Sequence, residues 1–208
     1  MPSEKFKLAV LVSGHGSNLQ AIIDNIEKNN LEAEISLILS NVPHAYALQR
    51  GKKHGLESVF LNPKNFSSRD DYEKKMIELL QTKSIDLVCL AGFMRILGKK
   101  FIEAFSGKII NIHPSLLPAF PGLNVQEKAL EHGAKFSGCT VHFVNEEVDG
   151  GAIILQAIVP ILDEDDVKSL SDRILEQEHI IYPEAIRLII EDNLKFSGRR
   201  VIQKTRGN

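Results

Sequence analysis

The sequence predicts an α/β fold built on a mostly parallel central sheet with helices on both faces. Apolar runs rich in β-branched residues alternate with stretches of helical period up to about residue 136. The runs are nearly continuous, as strands covered on both faces are. The first run opens directly into a glycine-containing turn and a helix, the start of a βαβ unit.

Lys7–Ser13 is the first expected strand, followed by Glu34–Ser40, Glu57–Leu61, Ile85–Ala91 and Lys108–Ile112, with helices between them. Ser67–Lys83 reads as one such helix, since Tyr72, Met76, Leu79 and Leu80 share a face and charges take the other. After about residue 136 the pattern changes. Two strand-like runs, Phe136–Val144 and Ala152–Val159, flank a short Asn-Glu-Glu-Val-Asp-Gly-Gly loop, which favours an antiparallel pair. A long helix over Asp166–Asp192 follows, with a kink expected at Tyr182-Pro183. The basic, apolar-poor tail, Lys195–Asn208, reads as a frayed solvated end. With no internal repeat and no interdomain linker, residues 1–194 are expected to form one catalytic domain and 195–208 its tail.

A chain of 208 residues that is 43% apolar can bury a core without disulfide or metal staples. Its 25 Lys+Arg against 27 Asp+Glu leave no broad basic footprint, so nucleic acid and anionic membranes are not expected partners. Cys89 and Cys139 lie far apart in apolar runs and read as buried, reduced thiols. The N-terminal MPSEKFKLAV lacks a signal core, and no apolar run approaches the roughly 20 residues that span a bilayer. The expected compartment is the cytoplasm.

The first strand ends in Ser13-Gly14-His15-Gly16-Ser17-Asn18-Leu19-Gln20. A turn of this kind at a helix N-terminus offers N–H donors and the positive dipole end to an anion, with phosphate the natural guest. Ser17 and Gln20 also have the spacing of a capping box, and the two readings are compatible. A dinucleotide fingerprint would need a third glycine where Leu19 stands and an acidic residue where the second strand ends in Ser40-Asn41. NAD is therefore not expected.

In Lys108-Ile-Ile-Asn-Ile-His113 the side chains of Asn111 and His113 project from one face of a strand, at the carboxyl end where open sheets bind ligands. A rigid proline-rich loop, Pro114 to Gly122, follows and could hold a cis X-Pro bond. Asp149, before two glycines, reads either as a turn residue or as a carboxylate that meets His113 and holds it protonated as a general acid. Glu178 falls on the apolar stripe of Leu170, Ile174, Ile181, Ala185 and Leu188. It either faces inward toward a ligand's hydroxyls or sits at the stripe's edge. No HExxH, GxSxG or clustered metal-ligand spacing occurs, so no metal is expected.

Together these residues resemble the phosphoribosylglycinamide formyltransferase family. The resemblance is carried by Ser13–Gln20, Phe66-Ser-Ser-Arg69, Gly92-Phe-Met-Arg-Ile-Leu97, Asn111-Ile-His-Pro-Ser-Leu-Leu-Pro118 and Gly138-Cys-Thr-Val-His-Phe-Val144 with Asp149-Gly-Gly. It covers nearly the whole chain apart from the tail. It implies a single-domain, Rossmann-like formyltransferase fold and formyl transfer from 10-formyltetrahydrofolate, the co-substrate, to the amine of 5′-phosphoribosylglycinamide in purine biosynthesis. It also implies catalytic roles for Asn111, His113 and Asp149, and substrate phosphate and ribose contacts at Gly16, Ser17, Asn18 and Glu178. Folate contacts are implied at Arg69, Met94, Arg95, Ile96, Leu97 and Asn111. His15 and Gln126 depart from the family pattern, which usually has Asn and often His there. The partners implied are small molecules, bound by a monomer or homodimer. The alternatives are a formyltetrahydrofolate hydrolase, a methionyl-tRNA formyltransferase or a non-catalytic folate binder.

Overall fold

The computed structural model describes residues 5–204; residues 1–4 of the polar N-terminal segment and 205–208 of the basic tail lie outside the described residues. The strand order is β3-β2-β1-β4-β5-β6-β7, with a separate β8-β9 pair. The chain falls into two compact units, one ending at Ile110 and the other beginning at Asn111. The division lies within a strand.

In the first unit, β1 (Phe6–Val12) lies between β2 (Ala33–Ser40) and β4 (Leu87–Leu90), parallel to both, and β3 (Ser58–Phe60) extends β2 in parallel. Leu8, Ala9, Val10, Leu11 and Val12 are wholly buried, which explains the unbroken apolar run. The helices are α1 (Ser17–Glu27), α2 (Tyr46–Lys53), α3 (Arg69–Thr82) and α4 (Lys99–Ala104). Right-handed crossovers run first to one side of β1 and then to the other, which puts α1 and α2 on one face and α3 and α4 on the opposite one, each pair in contact. The order reverses at β1, so the loops after β1 and β4 meet where an open α/β sheet binds ligands. Ser13 N–H donates to the Gly92 carbonyl at 3.0 Å, and Met94 N–H donates to Ser13 Oγ at 2.8 Å.

The second unit begins within β5 (Ile109–His113) and contains α5 (Val125–Glu131), β6 (Phe136–Phe143), β7 (Ile153–Pro160) and α6 (Val167–Ile190). β6 and β7 pair antiparallel, as the short loop predicts, and the register shifts between Val141 and His142. Asp166 caps α6 reciprocally with Ser169, and Asp165 is held by two hydrogen bonds from Arg173. α6 runs through Pro183 as one helix, with Tyr182 wholly buried before the proline and Ala185 and Ile186 wholly buried after it. Packing on both sides of the proline holds the helix together where one intrahelical hydrogen bond is lost.

The frayed tail is corrected. β8 (Leu194–Ser197) and β9 (Arg200–Gln203) form an antiparallel hairpin that lies against β7. Average composition hid the alternation of Leu194 and Phe196 and the apolar Val201-Ile202 pair on either side of a turn at Gly198, where Phe196 and Val201 are cross-strand partners.

Candidate active site

The anion loop takes its shape from close packing. Gly16 has φ of 73°, and a Cβ there would lie 2.6 Å from the Ala47 Cβ at the start of α2. The capping-box reading of Ser17 and Gln20 is not realised, because Gly16 is the N-cap of α1 with no side-chain cap. The Gln20 amide instead donates to Asp24 Oδ1, and its carbonyl accepts from Arg50. Arg50 also donates to the His15 carbonyl at 3.0 Å and lies over the Tyr46 ring, while the His15 ring stacks on Tyr46 and its Nδ1 lies 3.1 Å from Arg50 Nη2, so the departure at His15 is built into a brace on this loop.

The stretch after β4 carries the residues expected at folate. Met94 and Ile96 are 68% and 67% exposed, an apolar pair facing solvent, whereas Leu97 is buried. Arg95 lies over the Tyr72 ring at 5.0 Å, and burial pushes the Tyr72 phenol up to about 12. Arg69 braces this segment: Nε donates to Glu73 at 2.7 Å and Nη2 to the Ile96 carbonyl at 2.6 Å. Glu73, 4% exposed, also accepts the Gly98 N–H. Among the charged residues of this helix Glu73 does not stand out in the sequence, yet it sits three residues before Met76 and seven before Leu80, on the inward stripe.

The second unit brings Asn111, His113 and Asp149 together with a fourth residue, His142. His113 Nδ1 lies 3.6 Å from Asp149 Oδ2, and His142 Nε2 lies 3.7 Å from Asp149 Oδ1. Both separations exceed hydrogen-bond length, so these are charge contacts. The carboxylate accepts from the Gly122 N–H at 2.8 Å, and Asp149 itself takes a left-handed backbone with φ of 53°. His113, 5% exposed, donates through Nε2 to the Phe120 carbonyl at 3.0 Å. His142 donates through Nδ1 to the Phe143 carbonyl at 2.8 Å, leaving Nε2 to accept from the Asn111 amide at 3.2 Å. Burial holds the His142 imidazole below its usual range, in keeping with that neutral tautomer. The β6–β7 register shifts between Val141 and His142, at the residue that meets Asn111. The sequence signal for His142 was one titratable residue inside the apolar Cys139–Val144 run.

A buried hydroxyl pins the proline-rich loop. Thr140 Oγ1 accepts from the Leu117 N–H and donates to the Ser115 carbonyl, while the Gln156 amide donates to both the Leu117 carbonyl and Thr140. Leu117-Pro118 is cis. Glu178, 7% exposed, faces inward, and its charge adds to burial in pushing the Cys139 thiol up to about 12. Both cysteines are buried, as the sequence predicts. Among the described residues no cluster of three His, Cys, Asp or Glu side chains could hold a metal, and no helix is long and apolar enough to cross a membrane.

The formyl transferase family model matches residues 6–186 of the chain. This chain belongs to the formyl transferase family. A family member from Haemophilus influenzae, named phosphoribosylglycinamide formyltransferase, is 47% identical over 206 residues, covering 96% of this chain and 97% of the relative. The solved structure of glycinamide ribonucleotide transformylase 1 from Symbiobacterium toebii superposes with a TM-score of 0.94 at 48% identity, over 96% of this chain and 94% of that one. The trifunctional purine biosynthetic protein adenosine-3 of Drosophila melanogaster is 48% identical over 186 residues, which span 14% of its own length. The α/β fold expected from the sequence is thus the fold of this family.

Proposed function

We propose that this formyltransferase moves the formyl group of 10-formyltetrahydrofolate onto the amine of 5′-phosphoribosylglycinamide; relatives matched over most of their length are named phosphoribosylglycinamide formyltransferase. The meeting of Asn111, His113 and Asp149 within one unit is the observation that carries the chemistry. In this reading residues 1–194 act as one catalytic domain. Gly16, Ser17 and Asn18 take the substrate phosphate and Glu178 its ribose hydroxyls. Arg69, Met94, Arg95, Ile96, Leu97 and Asn111 contact folate, and Arg69 also holds the 94–97 stretch in shape.

The amine attacks the formyl carbon directly, and the chain's residues position the reactants and stabilise charge. Asn111 donates one amide hydrogen to His142, which leaves the second for the developing oxyanion. His113 shares that role once its Nε2–H leaves the Phe120 carbonyl, with Asp149 beside Nδ1 stabilising the imidazolium that relays a proton to the leaving nitrogen. His113→Ala and Asp149→Ala are each expected to lower kcat by roughly 10³-fold or more while both ligands still bind. Wild-type turnover in either would overturn the assignment. Folate deformylation measured with and without the amine separates transfer from hydrolysis, since transfer requires the amine.

A further inference from the structure

We propose that the C-terminal hairpin is a brace for the Asp149 loop and that Arg199, at its turn, is a positioning residue for catalysis; this rests on the catalytic role given to Asp149 above. The loop connecting β6 to β7 is touched from the hairpin at both of its ends. At the entry, the Phe196 ring packs on Phe143, the last residue of β6, with centroids 5.1 Å apart. At the exit, Arg199 Nη2 donates to the Gly150 carbonyl at 3.0 Å and lies 3.8 Å from Glu147 Oε2. Gly150 follows Asp149 directly, so this hydrogen bond acts one peptide unit from the carboxylate.

The loop has reason to need such a brace. Asp149 holds a positive φ that a side chain disfavours, and such a conformation persists where its surroundings over-determine it. Within the loop, a Cβ on Gly151 would lie 1.7 Å from the Phe143 carbonyl oxygen, so the exit is pressed against the entry. The hairpin is fixed in turn: β9 lies along β7, the Asn193 N–H donates to the Leu188 carbonyl of α6, and the Lys204 N–H donates to the Asn193 carbonyl. The hairpin residues of these contacts lie beyond residue 186, where the family-model match ends.

The Arg199 side chain is 84% exposed, so its removal should barely alter global stability. Its effect belongs to the position of Asp149. Arg199→Ala is expected to speed amide hydrogen exchange at 145–151 and to lower kcat roughly tenfold, with KM for the amine substrate changed less than about twofold. Arg199→Lys, which restores a donor to the Gly150 carbonyl, should recover much of the loss. Phe196→Ala tests the entry contact by the same two readouts. Unchanged loop exchange in Arg199→Ala overturns the brace, and faster exchange with unchanged kcat overturns the positioning role. If the unaltered protein shows no amine-dependent formyl transfer, the functional reading fails instead, and the exchange measurement still decides whether the brace exists.

Discussion

At His142 two hydrogen bonds settle both tautomer and role. The Nδ1 hydrogen is committed to the Phe143 carbonyl, so Nε2 is an acceptor that fixes the Asn111 amide and turns its second hydrogen outward. Protonation of His142 would put a donor against a donor. Burial holds the folded-state pKa down, so the neutral ring persists as pH falls through the ordinary imidazole range. His142→Gln keeps a hydrogen-bonding group of related reach without titrating. It is expected to retain activity to within roughly tenfold, whereas His142→Ala, leaving the Asn111 amide unanchored, should lose roughly 10²-fold in kcat with little change in folate binding. Steady-state kinetics on the two variants check this, and equal activity of Ala and wild type would contradict it.

At the scale of the element, β6 does more than complete a sheet. Its residues Thr140 and His142 reach the proline-rich loop and Asn111 respectively, so one strand aligns two parts of the site. Thr140 is wholly buried and satisfies Leu117 and Ser115 of the loop backbone at once. Thr140→Val preserves volume but strands those groups, and should destabilise the fold by about 1–3 kcal/mol. Urea unfolding measures this, with Ser115→Ala as a milder comparison, because Ser115 only donates to two loop carbonyls. In α3, Glu73 plays a similar part, holding Arg69 and the Gly98 N–H so that the Met94–Ile96 segment keeps its shape. Glu73→Gln is expected to raise KM for formyl folate severalfold with kcat little changed, since an amide replaces the charge-assisted partner of Arg69.

For the whole molecule, a formal net charge of −2 means that anion capture is local. It also means that acid stability is set by particular groups. The His142 imidazole is depressed in the folded state, so the unfolded chain takes up that proton first. Its contribution is complete above about pH 6.5 and is lost as pH falls below it. Two hydrogen bonds from Arg173 hold the Asp165 carboxyl well below the usual carboxylate range, so its contribution persists to lower pH and drains away only below about pH 4. Thermal unfolding should therefore show two acid windows. His142→Gln is expected to flatten the decline that begins below about pH 6.5, and Asp165→Asn to lower Tm at pH 7 while flattening the decline below about pH 4. A single window unaffected by either substitution would contradict both assignments.

The order of strands and helices of the main sheet and the antiparallel closing pair were legible in the linear pattern, because each rests on a local periodicity that survives without knowing the neighbours. Asn111, His113 and Asp149 were named as the catalytic trio through the family resemblance, and the pattern left Glu178 open between an inward and an edge position. His142 and Glu73 were not legible, because each is a polar residue on an apolar face whose partners, Asn111 and the Gly98 N–H, lie far along the chain. The hairpin was missed because composition averages away a two-residue alternation. What the sequence determined by itself is which residues can do the chemistry. Only the tertiary structure decided the hydrogen-bond state of each, since donor and acceptor choices depend on distances between segments that no spacing in the sequence encodes.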